Sequence, residues 1–416
     1  MAEFPELMMR DLPYGMRLVE GGVTAARGYR AGNTSCGIKS DTGTPDLALL
    51  ASDVPCVAAG TFTTSKCPSH TVILDRERLA ATGKHAQGVV VNSGNANCSN
   101  GERGMRDARR MAELAAQKLG IDPSLVLVSS TGIIGRPLPM EKVEQGIAQV
   151  EIRPDGGLDF AQGIITTDTR TKTIAVEFEL DGKRVRVGGS TKGAGMIHPN
   201  MATMLCYITS DAAAEPDFMQ VALSEAVEDS FNMVNVDGDM STNDTVLLFA
   251  NGVAGNPALR AGAPGADTFN AALRHVTRYL AREIARDGEG ATRFQTVTIK
   301  GAPTREDARL AARAITTSPI WQCAIAGSDP NWGRIIAALG KSGAQLEHEK
   351  LEIAVADITL VRDGTAAEYD QAAAKQAMAE GEVPVTVDLH LGDFAAVAWG
   401  CDLTHGYIDE NATYTR

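Results

Sequence analysis

Gly188–Ser210 reads GGSTKGAGMIHPNMATMLCYITS. Its two ends obey a different rule from its middle. From Met204 onward, Met204, Leu205, Cys206, Tyr207 and Ile208 form a short, unbroken apolar run, which predicts a buried strand. Upstream, Val176, Phe178 and Leu180 alternate into Asp181-Gly182, and Val185 and Val187 alternate out again, which predicts a β-hairpin leading into Gly188. Between the two, Gly193, Gly195 and Pro199 mark backbone that bends or is closely approached. The stretch therefore delivers one hydroxyl residue, Thr203, to the start of a strand.

Working outward, residues 45–75 and 86–98 are rich in Val, Ala and Thr and predict buried strands separated by polar turns. Gly104–Gly120 places Met105, Ala108, Met111, Ala112, Ala115 and Leu119 on one helical face, with a glycine just past the end. SLVLVSSTGIIG (124–135) predicts a strand that ends in a turn. Helices are expected over 216–234 and 267–287, the second with Asp267 as N-cap and Phe269, Leu273, Val276, Leu280 and Ile284 on its apolar face. From Phe294 the texture changes. A strand, a helix capped by Thr304 with Asp307 three residues on, and strands in 351–361 and 383–392 suggest a smaller α+β unit, with the seam at DGEGAT (287–292). Strands and helices in mixed order, without regular βαβ alternation, predict a layered α/β (α+β) sandwich rather than a doubly wound sheet.

Composition narrows the class. A chain of 416 residues with a net charge of −13 and 5% aromatics has neither the basic face nor the stacking platforms of a nucleic-acid binder. Seven dispersed cysteines without a CxxC pair suggest reduced thiols rather than a disulfide framework or a metal site. No basic-then-apolar leader opens the sequence, and no apolar run nears the roughly 20 residues that span a bilayer. The expectation is a cytoplasmic protein that binds no membrane, metal or nucleic acid.

The chemistry centres on Thr203. A threonine hydroxyl is a poor nucleophile without an adjacent base. One solution makes the threonine an N-terminus, so that its own α-amine takes the proton. That amine, with an ordinary pKa near 8, suits neutral pH. An internal Thr203 gains a free amine only if the Ala202–Thr203 bond is cut, and a strained backbone would let its hydroxyl attack the preceding carbonyl. On composition alone, the reading in which Thr203 merely begins a strand comes first. SSTGIIG (129–135) offers Thr131 and the Gly132 N–H as donors for an oxyanion, or merely a satisfied turn. KGAGM and GEGATR lack the spacing of a phosphate loop. His198 is either a general base or a loop histidine bonded to backbone.

STGIIGRPLP, TTDT, GGSTKGAGMIHPNMATML, DGEGAT, DPNWGR and NATYTR follow one another over nearly the whole chain. In these blocks the sequence resembles the ornithine acetyltransferase (glutamate N-acetyltransferase) family of arginine biosynthesis. The resemblance implies a self-processing, N-terminal-nucleophile-type fold related to self-processing aminopeptidases. It implies autocatalytic cleavage at Ala202–Thr203 into an α chain (1–202) and a β chain (203–416), associated as an α2β2 heterotetramer. The β chain would complete the catalytic sandwich to about 290 and then form the smaller unit over about 291–400. Thr203 would take acetyl from N-acetylornithine, release ornithine, and pass the acetyl to glutamate to give N-acetylglutamate, with acetyl-CoA a further donor substrate in some members and no cofactor.

By the same resemblance Thr131 and Gly132 match the oxyanion pair, and Lys192, Glu289 and Asn411 match substrate-contacting residues. TTDT contributes Thr166, in preference to Thr167. Lys192 and Glu289 suit a zwitterionic amino acid, which needs a cation for its carboxylate and an anion for its ammonium. The family ends on a hydroxyl residue, whereas this chain ends Thr415-Arg416, so Thr415 takes that place only if the contact shifts by one. Two rivals accompany this reading. An N-terminal-nucleophile amidase or aminopeptidase would release the acyl group to water, and an amino-acid-binding protein would keep its chain intact.

Overall fold

The computed structural model describes residues 6–39, 43–198 and 204–413; Ala202, Thr203 and Thr415 lie outside them. The chain divides into two compact units. The first holds the chain up to Gly193, a segment that ends at Glu228, and Ser241–Leu280. The second holds the segment that starts at Ala194, Asp229–Met240, and the chain from Ala281 onward.

The first unit is organised by one sheet. Its strands are β1 (Arg17–Leu18), β2 (Tyr29–Thr34), β3 (Leu47–Phe62), β4 (His85–Asn95), β5 (Val126–Ile133), β6 (Lys172–Leu180), β7 (Lys183–Lys192), β8 (Leu205–Ser210) and β9 (Thr245–Ala250). They lie in the order β1-β6-β7-β8-β9-β3-β4-β5, with β2 beside β3. β4–β5 and β8–β9 are parallel pairs, and the others are antiparallel.

The apolar runs LALLA, VVV and LVLV explain why this sheet lies inside the unit. A strand turns successive side chains to opposite faces, so a continuous apolar run buries both. Leu50, Val89, Val91 and Leu127 pack with Phe160, Ile164 and Tyr207 in one cluster. Their neighbours Leu47, Leu49, Val90, Val126 and Val128 pack in another, with Ala108, Met111, Ala112 and Ala115 of the helix Gly101–Leu119 and with Val143 and Ile147 of the helix Met140–Gln149. Helices thus cover both faces, and the layered α/β architecture follows.

The hairpin forms as its alternation predicts, with Asp181 at φ 49° and Gly182 at φ 71° in the turn. The helix predicted from Gly104 begins at Gly101 and stops at Gly120, whose φ of 69° is the left-handed cap that glycine adopts without strain. Residues 70–75, expected as strand, are the start of a helix, His70–Ala81. Ser69 caps it by accepting the Val72 N–H at 3.4 Å, a local bond that overrides the β-branched Thr71, Val72 and Ile73. Pro216–Glu228 is helical, but Phe231–Met233 is a 3₁₀ turn. The next helix begins at Ala266, which places Asp267 in the first turn instead of at the cap.

The second unit carries a sheet of β10 (Phe294–Ala302), β11 (Glu352–Val355), β12 (Ile358–Arg362), β13 (Thr365–Ala366), β14 (Glu382–Asp388) and β15 (Phe394–Cys401). Their order is β13-β12-β11-β14-β10-β15. The helix Arg305–Thr316 buries Ala308, Ala311, Ala312 and Ile315, and Thr304 caps it by accepting the Asp307 N–H.

Candidate active site

Lys192 closes β7 and Thr131 stands near the end of β5, and both side chains are buried. Lys192 Nζ lies 3.1 Å from Thr131 Oγ1. An ammonium only donates, so the hydroxyl accepts here and keeps its own proton to give elsewhere. The next residue, Gly132, has φ 131°, and a Cβ there would stand 2.3 Å from the Gly94 carbonyl carbon and 2.5 Å from the Asn95 nitrogen. Only glycine fits where β5 shifts register against β4. The turn expected at Thr131–Gly132 begins only at Ile134, and the end of β5 places a buried hydroxyl donor beside a closely packed glycine.

Asp168 organises the surroundings of Lys192. Its Oδ1 accepts Lys172 Nζ at 2.5 Å and the Gly193 N–H at 2.7 Å, and Oδ2 accepts the Thr166 N–H at 3.1 Å. The Asp168 and Lys172 side chains are both 0% exposed. Burial pushes the Asp168 carboxyl up, but Lys172, Lys192 and the Gly193 N–H outweigh it and hold it at about 2. Asp168 is therefore ionised at neutral pH and balances charge that would be costly to bury alone. In TTDT the aspartate is the structural hub, while Thr166 and Thr167 are half-buried beside it.

Asp244 is sealed in as completely, with the opposite result. It is 0% exposed, and its Oδ1 accepts the Met204 N–H at 3.1 Å. Burial dominates and drives its pKa well above the carboxylate range, against the pull of the Met204 N–H and Lys192. Two carboxyls that both feel Lys192 are thus pushed apart, Asp168 downward and Asp244 upward.

The second unit has its own polar cluster. Asn411 Nδ2 donates to Glu289 Oε2 at 2.8 Å, and the Glu289 N–H donates to the Ala194 carbonyl at 2.8 Å. A Cβ on Gly195 would stand 2.2 Å from Glu289 Oε2, so the glycine lets the backbone lie against the carboxylate. Met196 follows at φ 55°, a left-handed conformation that costs a non-glycine residue on the order of 1 kcal/mol. It is held there by Asp237, which accepts the Met196 N–H at 2.5 Å and the Ile197 N–H at 3.0 Å. Tyr407 Oη also donates to Asp237, at 3.3 Å. His198 is half-buried, and burial lowers its pKa.

Thr131, Gly132 and Lys192 are thus assembled in one unit and Glu289 and Asn411 in the other. Asp168, Lys172, Asn243 and Asp244 were not singled out by sequence reasoning. The signal for the last two was the polar run STNDT, 241–245, set directly against the apolar start of β9. A cavity of about 580 Å³ lined by Phe218, Val221, Asn270 and Arg274 among others contains none of these residues. No helix among the described residues is long and apolar enough to cross a membrane.

Buried lysines, oppositely shifted carboxyls and a closely packed glycine gathered at strand ends define an α/β enzyme. The ArgJ family pattern matches residues 30–416. Over 402 residues the chain is 50% identical to the arginine biosynthesis bifunctional protein ArgJ of Symbiobacterium thermophilum, covering 96% of this chain and 100% of that protein. It is 48% identical over 393 residues to the protein of the same name from Thermus thermophilus, covering 94% and 99%. Among solved structures, an ornithine acetyltransferase complexed with ornithine from Mycobacterium tuberculosis is 35% identical over 44% of this chain and 98% of that one, with a TM-score of 0.40. The chain belongs to the ArgJ family.

Proposed function

We propose that this enzyme transfers the acetyl group of N-acetylornithine to glutamate in arginine biosynthesis. The observation that carries this is the identity of half the residues with a bifunctional ArgJ protein over its whole length. Full-length identity at that level favours the transferase over an amidase that gives its acyl group to water.

Thr203 serves as nucleophile after self-cleavage at Ala202–Thr203. Its hydroxyl attacks the acetyl carbonyl, and its α-amine takes the proton. The oxyanion is met by the Thr131 hydroxyl, whose proton is left available by the Lys192 contact, and by the Gly132 N–H. Collapse breaks the amide C–N bond, the proton passes to the departing amine, and ornithine leaves an acetyl ester on Thr203. The glutamate amine then attacks that ester and restores the hydroxyl. Lys192, Glu289, Asn411 and Thr166 supply charge and hydrogen bonds to the amino-acid substrates, with Thr415 the candidate at the chain end.

The seven unpaired cysteines suit a reducing cytoplasm, and the processed chains are proposed to assemble as α2β2. Acetyl-CoA is the further donor to which the relatives' word "bifunctional" points. Protein incubated with glutamate and acetyl-CoA alone would then form N-acetylglutamate.

The deciding experiment is Thr203→Ala. The variant should run as one full-length band on a denaturing gel and lose acetyl transfer by at least about a thousandfold. Processing that survives the substitution would remove Thr203 from both roles.

A further inference from the structure

The loop Ser241–Asp244 is tied to both halves of the first unit's polar cluster. Asn243 is 2% exposed, and its Nδ2 donates to the Ser130 carbonyl at 2.8 Å and to the Ala96 carbonyl at 2.7 Å. Its Oδ1 accepts the Thr242 hydroxyl at 2.5 Å. The amide orientation is therefore determined, since both donors go to carbonyls and the acceptor to a hydroxyl. Ser130 immediately precedes Thr131. The Ser130 hydroxyl in turn donates to Asn92 Oδ1 at 2.6 Å, and Asn92 Nδ2 donates to the Asn95 carbonyl at 2.8 Å.

The next two residues grip Met204, which leads into β8. Asp244 Oδ1 accepts the Met204 N–H at 3.1 Å, and the Thr245 N–H donates to the Met204 carbonyl at 3.0 Å. Both backbone groups of Met204 are thus held by consecutive residues. The loop itself is fixed from outside. Thr63 donates its hydroxyl to the Ser241 carbonyl at 2.7 Å and its N–H to the Asp244 carbonyl at 2.9 Å, and the Ser69 N–H donates to the Thr242 carbonyl at 2.8 Å.

We propose that Asn243 and Asp244 are positioning residues that set the distance between Thr131–Gly132 at the end of β5 and Met204, which leads into β8. Neither touches the reacting atoms. Asn243 holds the end of β5 through the Ser130 carbonyl, and Asp244 holds the Met204 amide. Oxyanion donors work only when placed within a few tenths of an ångström, and a misplacement of 1 Å costs on the order of a hundredfold in rate. One rigid loop that bonds both strands supplies that constraint.

The kinetic arm of the test rests on the acetyl-transfer function proposed above, and a second arm does not. In the first, wild type, Asn243→Ala, Asn243→Asp, Asp244→Ala and Asp244→Asn are assayed with N-acetylornithine and glutamate. Asn243→Asp keeps the shape but turns oxygens toward two carbonyls, while Asp244→Asn keeps an acceptor for Met204. The expected result is a kcat lower by roughly 10- to 100-fold in the first three variants, with KM changed less than about threefold, and near-complete rescue in Asp244→Asn. Should Asn243→Asp not fold, Asn243→Ala decides. Unchanged kcat in Asn243→Ala, or an Asp244→Asn enzyme as slow as Asp244→Ala, overturns the proposal. The second arm follows hydrogen exchange in Val126–Ile133 and Leu205–Ser210. Asn243→Ala should speed exchange in the first segment and Asp244→Ala in the second, while exchange in the second unit's sheet stays unchanged. Unaltered exchange in both segments also overturns it. If wild type transfers no acetyl, the function falls and the exchange arm alone decides the clamp.

Discussion

Asp168 and Asp244 are both shut away from water, and their surroundings shift them in opposite directions. Lys172 and Lys192 hold the Asp168 carboxyl at about 2, whereas burial outweighs the Met204 N–H and Lys192 at Asp244 and pushes its carboxyl well above the usual range. Stability depends on pH in opposite senses for the two. Asp168, depressed to about 2, stabilises the fold fully above about pH 4, and that contribution is lost as pH falls toward its folded pKa. Asp244, raised in the folded state, contributes fully below about pH 4 and loses that contribution as pH climbs toward its folded pKa. Asp244→Asn has no proton to lose. Its melting temperature should therefore gain on wild type steadily as pH rises above about 4. A constant gap from pH 4 to 8 in thermal melts would show that Asp244 is ionised in the folded protein.

At the level of elements, what could be read in the sequence was local. The hairpin at Asp181-Gly182, the Gly120 helix stop and the Thr304 cap each depend on residues two to four apart, and each forms. The Thr304 cap is quantitatively testable, since its hydroxyl accepts the Asp307 N–H at 3.1 Å. Thr304→Ala should cost about 1 kcal/mol in denaturant unfolding of the second unit, and Thr304→Ser should restore most of it. No loss in the alanine variant would mean that packing of Ala308, Ala311 and Ala312 alone holds the helix. The helix His70–Ala81 shows the limit of such reading. Its first turn is β-branched and looks like a strand, and only the Ser69 cap and the fit of Val72 and Leu74 into buried positions decide for helix.

At the scale of the whole molecule, the sheet of the first unit carries a consequence for processing. A cut at Ala202–Thr203 assigns β1 to β7 to one fragment and β8 and β9 to the other. Yet β8 pairs with β7 over Val187–Lys192, and β9 pairs with β3 over Val57–Phe62. The β8–β9 pair is thus flanked on both sides by strands of the other fragment, and none of these ladders includes the Ala202–Thr203 bond. Fragments of 202 and 214 residues should co-elute under native conditions and separate only in denaturant. Separation in native buffer would contradict the shared sheet.

The sequence by itself determined the Asp181-Gly182 hairpin, the Gly120 helix stop, the Thr304 cap, the glycine-rich bend before Met204, and the family, because these rest on neighbouring residues and on ordered motifs. Thr131, Gly132 and Lys192 stand out as candidate site residues in this way, and Glu289 and Asn411 likewise. The tertiary structure alone decided what surrounds them. Lys192 meets Thr131 across 61 positions, and Asn243 meets the Ser130 carbonyl across 113. No local preference encodes such pairings. They arise because β5, β7, β8 and β9 share one sheet whose apolar faces leave the polar strand ends to find each other, and because a buried charge or amide must be partnered once water is excluded.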